Sequence, residues 1–227
     1  MKIGILQTGL LPDSLSARWG QYSDMFAAHL QARGFDTEAW SVLENDFPPG
    51  PEAADGWIIT GSKHGAYEDH PWIPPLEELV RDIRDSGRPL IGVCFGHQII
   101  AQALGGRVEK YRDGWAVGSH TYQFPDGPKT MNAWHQDQVV EAPDGAKSIA
   151  SNPFCENAAL LYDGRIFSVQ AHPEFDDAFT EALIDTRGPG IVPDALLEGA
   201  RAKLGSPNDR EAIWTQFERF FREGTLT

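Results

Sequence analysis

Basic residues are scarce: 19 Lys and Arg stand against 33 Asp and Glu in 227 residues, a formal charge of -14. Such an acidic surface favours solubility and argues against broad affinity for nucleic acid or anionic membranes. The few cations are scattered along the chain. No apolar run reaches the length of a membrane span, and the N-terminus has no signal-peptide core followed by a small-residue cleavage site. A cytoplasmic location with no membrane partner is therefore expected. Cysteine is nearly absent, with only Cys94 and Cys155, which excludes a disulfide scaffold; a chain this long builds its core without one. There is no P-loop, internal repeat, low-complexity tract or interdomain linker. No pair among the seven histidines has the spacing of a zinc site, so neither a metal nor another cofactor is expected.

What is present is ordinary globular composition, 41% hydrophobic and 23% charged, read most economically as one α/β domain over residues 1–227. The strongest local signal is Leu90-Ile91-Gly92-Val93-Cys94-Phe95-Gly96-His97-Gln98. An apolar strand runs into a cysteine with glycine two places before it and two after. A helical apolar segment, Ile99 to Leu104, follows. This is the pattern of a G-x-S-x-G nucleophile elbow with sulfur replacing oxygen. The glycines permit close backbone approach, and a thiol at a helix N-terminus meets unpaired N–H groups that favour the thiolate. An arbitrary cysteine is more often a small buried hydrophobe. A packed strand, however, has no use for two glycines around one thiol, so Cys94 is the candidate nucleophile.

Periodicity orders the rest. Ile3 to Gln7 reads as a strand, Leu15 to Arg33 as a helix stopped at Gly34, and Phe35 to Trp40 as a second strand. Trp57 to Thr60 is a third strand and Pro74 to Arg84 a helix before the elbow strand. That alternation predicts a mostly parallel central sheet flanked by helices. From Arg107 to Val169 shorter strands predict a smaller antiparallel region, including a hairpin of Ala159 to Tyr162 and Arg165 to Val169 on an Asp163-Gly164 turn. Asp176 to Glu223 reads as helices broken near Gly188-Pro189-Gly190 and Gly205-Ser206-Pro207.

A cysteine nucleophile needs a base, and the base an orienting acceptor. His172 ends a strand, is followed by the stiff Pro173, and has Glu174 two residues on, which suits an imidazole whose tautomer a carboxylate fixes. His135, with Asp137 at the same offset, is the rival and otherwise a cleft-lining group. His97 follows Cys94 on the same helix and suits a packing or supporting role, while His29 lies on an apolar stripe at the core edge. His64, His70 and His120 sit in polar loops and read as solvated. The Phe95 N–H is one oxyanion donor expected of an elbow. The turn Thr60-Gly61-Ser62 offers a second, or is simply a strand-ending glycine.

Three segments in this order and spacing resemble the class I (triad) glutamine amidotransferases: Ile59-Thr60-Gly61-Ser62, Gly92 to Gln98, and Gln170-Ala171-His172-Pro173-Glu174-Phe175. Trp134-His135-Gln136-Asp137 matches a fourth. The resemblance covers residues 1–175 and leaves 176–227 as a C-terminal helical extension without a motif. It is similar in particular to free-standing GMP synthase-like members, and shares Tyr67-x-Asp69-x-Pro71-Trp72 with plant γ-glutamyl peptidases. No ATP-pyrophosphatase or dimerisation domain of full GMP synthases is recognised in these 227 residues, so nucleotide synthesis by them alone is not expected. The resemblance implies a flavodoxin-like fold, Cys94 as nucleophile, His172 as base, Glu174 as orienter, and Gly61 and Phe95 as oxyanion donors. It also implies substrate contacts from Ser62, Gln98, His135, Gln136 and Asp137. The expected reaction is hydrolysis of a γ-glutamyl amide, of glutamine or of a γ-glutamyl amine or peptide, through a cysteine thioester. Two alternatives stand beside it: a glutaminase subunit serving a separate synthetase, and a regulatory or binding protein on the same fold without turnover.

Overall fold

Strand β1 (Lys2–Gln7) is buried along nearly its whole length, and the sheet grows from both of its edges. The computed structural model describes residues 1–226. β1 pairs in parallel with β2 (Asp36–Ser41) on one side and β3 (Gly56–Ile59) on the other. β3 pairs with β4 (Leu90–Val93), and β4 with β11 (Ile166–Val169), both in parallel. Antiparallel β10 (Ala159–Tyr162) and β9 (Ala146–Ala150) complete seven strands in the order β2-β1-β3-β4-β11-β10-β9. Counted alone, the parallel strands follow the 2-1-3-4-5 order of flavodoxin-like sheets, whose ligands gather beyond the carboxyl ends of the strands. The expected mostly parallel α/β architecture is what the chain adopts.

Each face of this sheet is covered by helices. On one, Ile3, Ile5 and Phe167 pack against Phe26 of α2 (Tyr22–Gln31) and Trp214, Phe217 and Phe220 of α7 (Arg210–Glu223). On the other, Leu6, Ile59 and Leu90 meet Leu76, Val80 and Ile83 of α3 (Ile73–Asp85) and Ile99 and Ile100 of α4 (Phe95–Ala103). Full burial of each large apolar side chain contributes about 1.5–3 kcal/mol. The smaller antiparallel region is also present. β5 (Arg107–Lys110) pairs with β8 (Asp137–Glu141), and β6 (Ala116–Phe124) with β7 (Gly127–His135). No described helix is long and apolar enough to cross a membrane.

One helical boundary differs from expectation. The single helix over 15–33 is two, α1 (Asp13–Trp19) and α2, because Gly20 turns left-handed at φ 71° and Gln21 with Asp24 forms a capping box for the second. Helix α4 starts at Phe95, directly after Cys94 as the elbow pattern requires, and Gly96, His97 and Gln98 of its first turn are all buried. The Asp163-Gly164 hairpin forms as expected, both residues having positive φ. In the tail, α5 (Asp177–Thr186), α6 (Asp194–Arg201) and α7 are separated at the two anticipated breaks.

Candidate active site

Cys94 lies between β4 and α4 with φ 54° and ψ -105°, a conformation L side chains rarely adopt. Such strain costs on the order of 1–3 kcal/mol and persists only where the surroundings impose it. Here the Cys94 N–H donates to the Val169 carbonyl at 2.9 Å, the Gln98 N–H to the Cys94 carbonyl at 3.0 Å, and the Gly96 N–H to the Thr60 carbonyl at 3.1 Å. A Cβ added at Gly96 would lie 2.3 Å from the Ile59 carbonyl oxygen, and one at Gly92 would lie 2.5 Å from that of Gly96. Only glycine lets α4 begin so close to the sheet. Among the described residues, neither the Phe95 N–H nor the Gly61 N–H has an acceptor.

β11 delivers the second group. His172 and Glu174 are 3% and 2% exposed, and the His172 Nδ1–H donates to Glu174 Oε1 at 2.7 Å. The ring lies flat on Phe175 at 3.9 Å, and the His172 N–H donates to the Asn132 carbonyl at 2.9 Å. Its Nε2 makes no hydrogen bond of regular geometry among the described residues, although the Cys94 side chain stands close enough to act on the ring. A Cβ built on Gly61 would stand 3.1 Å from His172 Cε1 and 3.7 Å from Cys94 Cβ, so turn, ring and thiol-bearing carbon share one contact shell. Burial opposes charge on His172, but the Glu174 carboxylate and the Cys94 sulfur outweigh it and hold the imidazole well above its ordinary 6.5.

These groups open on a pocket of about 370 Å³, within the range of small-molecule sites. Cys94, His172, Ser62, Gln98, His135, Gln136 and Asp137 line it, while Glu174 is bonded to the His172 ring and the Phe95 side chain packs on Trp72 at 5.5 Å. The Asp137 carbonyl accepts from Gln98 Nε2 at 2.9 Å and from His135 Nδ1–H at 3.1 Å, which ties the 135–137 segment to α4. Burial pushes His135 down to about 3, leaving it neutral with Nε2 unpartnered. Gln136 Nε2 donates to the Tyr111 carbonyl at 3.3 Å. The Asp137 carboxylate accepts from the Tyr67 hydroxyl at 3.2 Å, and burial raises its pKa.

Several wall residues escaped the sequence reading. Trp115 lines the pocket beside Trp134 of the fourth matching segment, and Arg187 reaches it from just beyond α5. Half-buried Arg187 makes no ion pair or side-chain hydrogen bond among the described residues, although it stands near Tyr22. No motif marks Trp115 or Arg187; only tertiary packing brings them to the cleft. Other histidines have structural partners. His97 Nδ1 lies 2.7 Å from Ser168 Oγ, and His29 stacks on Trp214 at 4.4 Å. Burial pushes the Cys155 thiol up to about 12, which keeps it protonated. His64 and His70 depart from expectation: rather than standing apart in solvent, they converge with Glu68, the three donor atoms lying within 4.8 Å of one another.

A model of the class I glutamine amidotransferase family matches residues 19–182. Gamma-glutamyl peptidase 4 of Arabidopsis thaliana is 30% identical over 229 residues, covering 92% of this chain and 91% of that one. GMP synthase (glutamine-hydrolyzing) of Ralstonia pickettii is 35% identical over 182 residues, which are 69% of this chain but only 33% of the synthase. A solved glutamine amidotransferase from Methylobacillus flagellatus superposes with a TM-score of 0.77 over 99% of this chain and 95% of that one, at 20% identity. A glutamine amidotransferase from Thermotoga maritima gives 0.73 over 98% and 97%, at 19% identity. Fold and sequence together define the class: the chain belongs to the class I glutamine amidotransferase family. Within that family, the γ-glutamyl peptidase match spans nearly the whole chain, whereas the GMP synthase match covers about a third of the larger protein.

Proposed function

We propose that the chain hydrolyses γ-glutamyl amide bonds with Cys94, His172 and Glu174 as a catalytic triad. The observation that carries this is the buried His172–Glu174 pair, with its ring Nε2 making no hydrogen bond of regular geometry and its ring in the same pocket as Cys94. With the Cys94 proton already resting on His172 as a thiolate–imidazolium pair, in keeping with the raised pKa of the ring, the sulfur attacks the γ-carbonyl carbon. The π electrons move to oxygen, and the Gly61 and Phe95 N–H groups receive the developing charge. His172 then gives its proton to the amide nitrogen as the C–N bond breaks, releasing ammonia or an amine. Water, deprotonated by the same ring, attacks the γ-glutamyl thioester and returns the thiolate. Glu174 holds the Nδ1–H throughout.

Substrate recognition falls to Ser62, Gln98 and the 135–137 segment, with Arg187 as a further anchor for a substrate carboxylate, since a guanidinium binds carboxylates with two parallel bonds. The full-length likeness to a γ-glutamyl peptidase favours a γ-glutamyl amine or peptide hydrolysed by this chain alone. The GMP synthase match carries a second reading, in which glutamine is the donor and ammonia passes to a separate synthetase subunit.

Glutamate release from glutamine and from a panel of γ-glutamyl amides and peptides tests both readings. Cys94→Ser abolishes every such activity, and a glutamine-analogue chloroketone adds its mass to Cys94 in the parent protein. Undiminished turnover by Cys94→Ser, or labelling elsewhere with the thiol untouched, rejects the triad. A glutaminase rate that rises only when a synthetase is added selects the second reading.

A further inference from the structure

We propose that His64, Glu68 and His70 bind one divalent transition-metal ion at the rim of the Cys94 pocket, with Zn²⁺ as the fitting probe. Two imidazoles and a carboxylate, all partly accessible, converge here on one loop. His64 Nδ1 and His70 Nε2 approach the same oxygen, Glu68 Oε2, at 3.2 Å and 2.7 Å. The rings meet edge to face at 4.3 Å between centroids. Donor atoms within 4.8 Å of one another need only small movements to surround an ion at the usual Zn–N and Zn–O distances of about 2.0–2.2 Å. Coordination displaces the two imidazole–carboxylate hydrogen bonds, each ring proton moving to the other ring nitrogen.

The loop is already shaped for this. The His64 N–H donates to Ser62 Oγ at 3.2 Å, the Glu68 N–H to the Gly65 carbonyl at 3.0 Å, and the His70 N–H to the Glu68 carbonyl at 3.0 Å. His70 stacks on Trp72 at 5.7 Å, and Trp72 packs on Phe95 beside the nucleophile. The Asp137 carboxylate, close enough to feel the charge of Glu68, adds negative potential. Two histidines and one carboxylate suit borderline cations such as Zn²⁺ and leave a fourth position for water or another ligand. His64 and Glu68 both line the pocket that holds Cys94. An ion here therefore pins the segment that begins at Gly61, and it offers an open coordination site at the entrance to the cleft.

Titration of untagged, full-length Cys94→Ser protein with ZnCl₂ by isothermal calorimetry tests the site without interference from the reactive thiol. One equivalent binds, and EDTA reverses it. Adding His64→Ala or His70→Ala to that background weakens binding at least about tenfold, by analogy with losses seen when even supporting groups of metal sites are removed. The milder Glu68→Gln weakens it too. Circular dichroism and thermal melting in EDTA establish that each variant is folded. Absence of stoichiometric binding, or full affinity in either folded histidine variant, overturns the proposal. The cysteine-to-serine background makes this outcome independent of whether the triad assignment stands.

Discussion

Trp214 Nε1–H donates to the carbonyl oxygen of Pro173 at 3.1 Å, and Arg210 Nε adds a second bond to the same oxygen at 2.9 Å. Pro173 stands between His172 and Glu174, so helix α7 clamps the turn that presents the imidazole. The tail, which carries no motif, is thereby tied to the site through side-chain donors on one main-chain carbonyl. Trp214→Phe keeps an aromatic ring in the core but removes one bond of about 1 kcal/mol. Expected are a fall of a few degrees in Tm and a several-fold drop in kcat. A Phe217→Leu control, also on α7, lowers Tm without the drop in kcat. Equal kcat in Trp214→Phe and the parent would dissociate the tail from the turn.

Glu174→Gln replaces the carboxylate by a neutral acceptor of the same shape. The Nδ1–H keeps a partner, but the charge that holds His172 high is gone. The alkaline limb of kcat/KM moves to lower pH, and kcat falls by about 10²–10⁴, the usual contribution of a positioned acid–base group. A pH–rate profile measures both; an unmoved limb would mean that Glu174 does not act through the ring.

Gly96→Ala puts a methyl group against backbone, 2.3 Å from the Ile59 carbonyl oxygen, where no rotamer change relieves the clash. Either β3 or the first turn of α4 must shift. Destabilisation of about 1–3 kcal/mol is expected, together with loss of activity as Phe95 N–H and Gly61 N–H separate. Urea unfolding alongside turnover checks this, and a variant of parental stability and rate would show the elbow to be looser than its geometry.

Stability should decline on both sides of neutrality. Burial pushes His97 and His135 down to about 3, so the unfolded chain binds more protons than the folded one below about 6.5. Folding therefore weakens as pH falls through that window, by several kcal/mol in the limit. His172 has the opposite sign. Its raised pKa supplies stability that is complete below 6.5 and is lost as pH rises toward about 10. Urea midpoints at pH 5, 7 and 9 test the sign of each limb: the middle value should be highest, and His97→Asn should flatten the acid limb. A midpoint unchanged between pH 7 and 5 contradicts the burial argument.

Arg187→Gln removes the unpaired guanidinium from the pocket wall. Loss of one charge-assisted contact to a substrate carboxylate, about 1.5–3 kcal/mol, raises KM roughly ten- to hundredfold with kcat little changed. Steady-state kinetics on a γ-glutamyl peptide decide it; an unaltered KM would place the substrate carboxylate elsewhere.

The parallel strands, the elbow and the His-Pro-Glu turn were legible in the sequence because each is a local pattern: an apolar run, two glycines about a thiol, a proline after a strand-end histidine. What escaped depends on contacts between distant segments. Arg187 has no periodic or motif signature, and its place in the wall follows from how α5 lies over the antiparallel strands. The break at Gly20 was masked by continuous apolar spacing on either side. His64, Glu68 and His70 follow no familiar ligand spacing, and only the tight turns between Gly65 and His70 fold them onto one another.

Gly61, Cys94 and His172 follow three adjacent strands, β3, β4 and β11, hydrogen-bonded in parallel. Neighbouring strands in any sheet are held about 4.8 Å apart by the peptide backbone itself, whatever their side chains. The interval between the proposed attacking atom, proton carrier and anion cradle is thus written into main-chain architecture. The cleft's periphery, assembled from unrelated stretches, is free to diverge toward new amides while the chemistry beneath it stays put.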